Sequence, residues 1–164
     1  MNIRPVELTN APQIAEIYNH YIKTSVATFE TEPVDAAEME KRISETLAGS
    51  YPFFVAEEAG EILGYAYGHQ FRARAAYRHS VEISVYIKEG HGGKGIASLL
   101  YERLFQEISK GDFHAVIAGI SLPNEASVRL HEKFGMTQIA HFKEVGFKFD
   151  RWIDTGYWQK VLNK

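Results

Sequence analysis

The amino-acid sequence predicts an α/β (α+β) fold in which strands and helices share one core across residues 1–164. Three observations carry that expectation. The segment Val81–Phe105 changes period midway, from the alternation of a strand to the 3.6-residue repeat of a helix. Apolar periodicity over the whole chain gives the order βααβββαβαββ. A length of 164 residues, 45% hydrophobic and 24% charged, suffices for one domain with a real core and is short for two.

From the N-terminus, Asn2–Glu7 reads as a short edge strand, since Pro5 cannot donate to a ladder. Thr9 or Asn10 is placed to cap a helix, with Pro12 in its first turn and Gln13 positioned for a capping box. Ile14, Ile17, Tyr18, Tyr21 and Ile22 give that helix an apolar face. Thr24–Pro33 has no period and is expected to be an ordered loop. Asp35 caps a second helix with Met39, Ile43 and Leu47 on one side, ending at Gly49. Phe53–Glu57 and Ile62–Phe71, joined through Gly60, read as a hairpin. Arg72–Arg78 is a basic connection into the central strand.

In that strand Val81, Ile83, Val85 and Ile87 alternate with Glu82, Ser84, Tyr86 and Lys88. In the helix beyond it Ile96, Leu100, Leu104 and Ile108 fall on one i+4 row, with Leu99 beside it, and Gly111 ends it. His114–Ile120 is a buried-looking strand. Asn124 caps a short helix with Val128, Leu130 and Phe134, closed by Gly135. Gln138–Phe149 and Trp152–Val161 read as two final strands.

Between central strand and helix lies Gly90–Gly95 (G-H-G-G-K-G). Such a turn leaves backbone N–H groups free, and the helix start adds its orphan donors and the positive end of its dipole. Without a Cβ in the way, a phosphate can approach closely. The expectation is a diphosphate cradle at a helix N-terminus; the alternative is a merely flexible loop. The P-loop pattern fails, because Lys94 is followed by Gly95 rather than Ser or Thr, and the dinucleotide pattern fits only loosely.

Strand, glycine turn and helix together resemble the acetyl-CoA loop of the GNAT superfamily of N-acetyltransferases, [Q/R]-x-x-G-x-[G/A], at Gly92–Ala97. Gly92 departs from the usual Gln or Arg. The resemblance implies the GNAT fold: a mixed, mostly antiparallel sheet, helices on both faces, and a central parallel pair that splays apart. The splay would leave backbone groups free to bond the cofactor's amides like an added strand. The blocks R-A-R-A-A-Y-R-H-S-V-E-I-S-V-Y-I (72–87), I-Y-N-H-Y (17–21), A-T-F-E (27–30), L-P-N-E-A-S-V-R-L-H-E-K-F-G (122–135) and G-F-K-F-D-R-W-I-D-T-G-Y-W-Q (146–159) resemble a narrower group. These are the phosphinothricin and methionine-sulfoximine N-acetyltransferases.

Glu82 is the candidate general base, since acetylation needs a neutral amine. On the residues alone it could equally be a solvent-facing Glu or the partner of Arg78. Arg72 and Arg74 could hold a substrate carboxylate or form a solvated basic loop. The resemblance implies that Arg72, Ala73, Arg74, Glu82, Ile83 and Ser84 contact the acceptor and that Phe29 and Glu30 line its pocket. It implies acetyl-CoA contacts from Val85, Tyr86, Ile87, Gly93, Lys94, Gly95, Ile96, Ala97, Ser98 and Asn124, with Lys133 at the cofactor's phosphate end. His131 stands where many relatives place a Tyr that protonates the leaving thiolate. It could act as imidazolium acid, as neutral hydrogen-bond partner, or as ordinary packing. Tyr157 and Trp158 are expected in the core or a dimer surface.

No cysteine is present, which excludes disulfides, thiolate metal sites and an acyl-Cys intermediate, so direct attack is the simplest acyl-transfer route. The 7 histidines form no H-x-x-x-H or H-E-x-x-H, and no metal is expected. A net charge of −3 without a block of like charges gives no case for nucleic acid. No apolar run approaches the ~20 residues of a membrane span and no leader pattern is seen, so the cytoplasm is expected. A homodimer is implied by the resemblance alone. The expected activity is acetyl transfer from acetyl-CoA to the α-amine of a small amino acid or analogue. Acetylation of a protein N-terminus or lysine, or non-catalytic acyl-CoA sensing, stand as alternatives.

Overall fold

The structure, a computed structural model, describes residues 1–163. Strands are β1 (Asn2–Pro5), β2 (Phe53–Glu58), β3 (Glu61–Gln70), β4 (Ser80–Ile87), β5 (Ala115–Leu122), β6 (Thr137–Lys148) and β7 (Arg151–Val161). Helices are α1 (Ala11–Thr24), α2 (Ala36–Ala48), α3 (Ile96–Lys110) and α4 (Glu125–Lys133). They form a seven-stranded sheet of order β1-β2-β3-β4-β5-β7-β6, in which β4 and β5 are the parallel pair and the other neighbours are antiparallel. This is the mixed, mostly antiparallel sheet expected, with β1 at one edge.

Two cores flank the sheet. On one face Leu100, Tyr101, Leu104 and Ile108 of α3 pack on Val81, Ile83, Val116 and Ala118. On the other Ile14, Ile17, Tyr18 and Ile22 of α1 and Met39 and Ile43 of α2 pack on Val55, Ile62 and Tyr65. The alternation of β3 and β4 decides which side chains reach which face. Val81 and Ile83 go to α3, while Tyr65, Tyr67 and Tyr86 go to α1 and α2.

The parallel pair is short. Only Ser80–Glu82 pairs with Ala115–Ile117. Beyond it β5 turns wholly to β7, and β4 has β3 alone for a neighbour. Lys88 N–H bonds the Leu63 carbonyl. Even-numbered residues of β4 therefore bond toward β3, and Ile83, Val85 and Ile87 present their backbone groups to the gap.

Several local expectations needed correction. Gln13 does not form a capping box: its Oε1 accepts from Ile62 N–H at 2.8 Å and its Nε2 donates to the Gly60 carbonyl, tying α1 to the β2–β3 turn. Asn10 is likewise not a side-chain cap, because its Oδ1 accepts from Glu7 N–H and from Arg4. β1 stops at Pro5. Leu47 and Leu99 are exposed, outside the apolar stripes of α2 and α3. Trp158 belongs to the core, whereas Trp152 is 63% exposed. Asp35 does cap α2, accepting from Glu38 N–H at 2.8 Å, and Asn124 caps α4 through Ser127 N–H at 3.1 Å.

Candidate active site

The gap between β4 and β5 opens into a cavity of about 510 Å³. Ile83–Ile87 form one wall and Gly119–Ser121 the other. The glycine turn and first turn of α3 close one end, α4 supplies Asn124, Ser127, His131 and Lys133, and Tyr21 and Ala27 reach in from the α1 side.

The start of α3 has no capping side chain and no acidic residue in its first turn, unlike α2 and α4; α1 also lacks both, but Pro12 removes one backbone donor there and no glycine turn precedes it. The α3 N-cap is Gly95, in the left-handed region at φ 81°, and Gly93 is also left-handed at φ 75°. A Cβ on either would meet nothing within 4 Å, so the protein itself leaves that space open. The free N–H groups therefore face the cavity, where a negative group would satisfy them and the dipole. Lys133 and Arg129 bring positive charge to them: Lys133 Nζ donates to Ser98 Oγ at 3.0 Å, and Arg129, with His91, joins the lining.

Among the residues expected to hold the cofactor, Val85, Tyr86, Ile87, Gly93, Gly95, Ile96, Ala97, Ser98, Asn124 and Lys133 all line this cavity. Lys94 does not. Tyr21, assigned from sequence to a helix core face, has a second role: its hydroxyl donates to the Ile87 carbonyl at 2.5 Å and accepts from Ile87 N–H at 3.3 Å. It thus occupies the groups β4 would offer a neighbouring strand at that point. Only the pairing pattern reveals this; nothing in the helical spacing does.

Glu82 is the last residue of β4 paired to β5, at the point where the strands part. It lies just before the lining run, on the face shared by Ser84 and Tyr86. Burial raises its carboxyl above the usual range. Its neighbour is not Arg78, whose guanidinium donates to the Ala75 carbonyl, but His69, cross-strand in register, with Nε2 3.6 Å from Glu82 Oε2.

The acceptor-side residues divide. Ile83 and Ser84 line the cavity. Arg72, Ala73 and Arg74 are exposed and do not line it; Arg72 lies 5.0 Å over the Phe71 ring and 5.7 Å from that of Tyr77. Glu30 is held by Arg42, whose two terminal nitrogens donate at 2.7 and 2.8 Å, and by the Tyr18 hydroxyl. The guanidinium keeps its carboxyl below the usual range. Glu30 therefore joins the 25–35 loop to α1 and α2 and is not among the residues lining the cavity. The Phe29 ring lies against Gly146, where a Cβ would collide with it. Lys148, 4% exposed, completes the loop's anchoring by donating to the carbonyls of Ser25 at 2.6 Å and Thr28 at 2.9 Å. Sequence reading missed Lys148 because a lysine in an alternating strand reads as solvent-facing.

His131 is buried, and both its ring nitrogens are engaged. Nδ1 donates to the Ser127 carbonyl at 2.7 Å, and Nε2 accepts from the Tyr101 hydroxyl at 2.9 Å. Burial lowers its pKa, which favours the neutral ring. Of the roles open to it, the imidazolium acid is the one this environment opposes.

Among the described residues no cluster of His, Cys, Asp or Glu could hold a metal, and no helix is long and apolar enough to cross a membrane.

Comparison with known proteins gives one consistent picture. The acetyltransferase (GNAT) domain family model matches residues 3–156. A phosphinothricin N-acetyltransferase of Streptomyces coelicolor is 41% identical, over 99% of this chain and 96% of that protein. An L-methionine sulfoximine/L-methionine sulfone acetyltransferase of Salmonella typhimurium is 35% identical, over 100% of this chain and 96% of that protein. Among solved structures, a GNAT superfamily phosphinothricin acetyltransferase from Sinorhizobium meliloti in complex with acetyl-CoA superposes with a TM-score of 0.95 at 36% identity, covering 99% of this chain and 88% of that one.

Proposed function

The chain belongs to the acetyltransferase (GNAT) domain family, and on that premise we propose that it transfers acetyl from acetyl-CoA to the α-amine of a small amino acid or analogue. Phosphinothricin, methionine sulfoximine and methionine sulfone are the acceptors suggested by its relatives. The observation that carries this reading is the juxtaposition of an uncapped, acid-free helix start, an unpaired strand edge and a half-buried carboxylate along one gap.

Each part has a task. The N–H groups at Gly93–Ser98, with Lys133, bind the diphosphate. The free edge of β4 bonds the pantetheine amides. Glu82 removes the ammonium proton, and the neutral amine attacks the thioester carbonyl. Val85 N–H, aimed into the gap, bonds the oxyanion. The CoA thiolate then leaves; His131, with both ring nitrogens already bonded, supports it only through the packing of α4. Arg72 and Arg74, on the exposed connection into β4, are the partners this reading assigns to a substrate carboxylate. A homodimer is part of this reading, supported by the exposed apolar side chains Phe142, Val145, Phe147 and Trp152 on the β6–β7 hairpin.

The test is acetyl-CoA-dependent thiol release over free amino acids, their sulfone, sulfoximine and phosphinic analogues, and peptides with free N-termini. Turnover on the small acceptors is expected. Turnover on peptides alone, or tight acetyl-CoA binding with no turnover, would overturn the reading. Glu82→Gln should lower kcat by roughly 10²–10⁴-fold at neutral pH. Because burial raises the Glu82 pKa, wild-type activity should fall as pH drops through that raised value, and the variant should lack this limb. Its deficit should narrow at high pH, where the amine loses its proton unaided.

A further inference from the structure

The pair His69–Glu82 is not used by the chemistry described so far. His69 on β3 and Glu82 on β4 are direct cross-strand partners, and the ring Nε2 stands 3.6 Å from the carboxylate Oε2. Nδ1 of His69 faces the Gln70 carbonyl at 3.3 Å, an acceptor, which makes Nδ1 the donor nitrogen. In the neutral ring Nε2 then carries a lone pair 3.6 Å from a carboxylate oxygen, just beyond direct hydrogen-bond distance. Two acceptors held face to face repel unless a proton lies between them. The arrangement is therefore complete only when the pair holds one proton, the state Glu82 enters when it deprotonates a substrate ammonium.

We propose that His69 is a positioning residue for Glu82, orienting the carboxylate and receiving from it the proton taken from the acceptor amine. The proposal rests on Glu82 being the base. The steps balance: an N–H bond of the ammonium breaks as O–H forms on Glu82. A side-chain rotation that shortens the separation by about 0.5 Å brings the two into hydrogen-bond contact, and that O–H then breaks as Nε2–H forms on His69, leaving carboxylate beside imidazolium. The imidazolium then releases its proton to water, for which the side chain has access at 34% exposure. Burial raises the Glu82 pKa and lowers that of His69, so both shifts bring the proton affinities of the two groups closer together.

Among the described residues neither His69 nor Glu82 makes another ion pair. On β3 the Tyr67 ring lies 5.5 Å from that of His69. From the α2 side Arg42 and Glu30 act on Tyr67 but are paired with each other. On β5 the register neighbour of Glu82 is Ile117, which is apolar.

The test combines two readouts. In His69→Gln the acid limb of kcat/KM should move to lower pH, because the buried carboxyl loses the neutral acceptor that shares its proton and so favours its protonated form. kcat should fall about 10–100-fold, at or below the effect of a full general base. Added imidazole should restore activity to His69→Ala and not to Glu82→Gln. In the double variant, His69→Gln should add nothing to Glu82→Gln. Independently of any change at His69, the NMR titration of its ring protons should shift between wild type and Glu82→Gln. An unchanged pH profile without imidazole rescue, or a His69 titration indifferent to Glu82, would overturn the proposal. If Glu82→Gln itself retains full kcat, it is the general-base reading that fails.

Discussion

Replacing Gly95 by alanine separates the phosphate cradle from every other part of the site. Gly95 sits at φ 81°, ψ 5°, where a side chain costs about 1–2 kcal/mol of backbone strain. An alanine Cβ there would touch no protein atom within 4 Å, so packing adds nothing to that cost. For a chain of 164 residues, the melting temperature should fall by roughly 2–8 °C. The same methyl group projects into the space a phosphate needs, and displaces it from one backbone donor. A hydrogen bond to a charged group is worth ~1.5–3 kcal/mol, so KM for acetyl-CoA should rise by about 10–100-fold. The assay compares two donors: acetyl-CoA and S-acetyl-N-acetylcysteamine, which has the thioester and no diphosphate. kcat/KM should drop for the first and hold within about twofold for the second. Equal losses with both donors, or none with acetyl-CoA, would show that the α3 N-terminus does not grip the diphosphate.

Two further outcomes test the frame around the site. Lys148→Met removes both donors that hold the Ser25 and Thr28 carbonyls while relieving a buried ammonium whose pKa burial already lowers. These effects oppose each other, so global stability should change by only about 1 kcal/mol. Amide hydrogen exchange across residues 25–30 should nevertheless accelerate, and unchanged exchange there would assign the loop's order to Phe29 and Glu30 instead. Tyr101→Phe leaves His131 Nε2 buried without its donor. That should cost about 1–3 kcal/mol in denaturant unfolding, and a value near zero would show that the pair adds nothing to α4 packing.

What was legible in sequence is what depends on local period and on residue type. The alternation in Val81–Lys88, the i+4 row of α3 and the caps Asp35 and Asn124 specify their elements because backbone sterics and nearby hydrogen bonds suffice. The glycine turn belongs with them, since freedom at positive φ is a property of the residue itself. Partnership across the sheet is different. That Glu82 meets His69 rather than Arg78 follows from the register of β3 against β4, 13 residues apart in sequence. Gln13 gave up its cap because a free N–H at Ile62 lay within reach, and Glu30 was claimed by Arg42 from another helix. Lys148 is buried because loop carbonyls from 120 and 123 residues earlier converge on it. The chain alone determined which segments are strands and helices and where a glycine turn leads into a helix start. Which polar groups face each other was decided only on folding, because a polar side chain takes whatever partner the packed backbone places within about 3 Å.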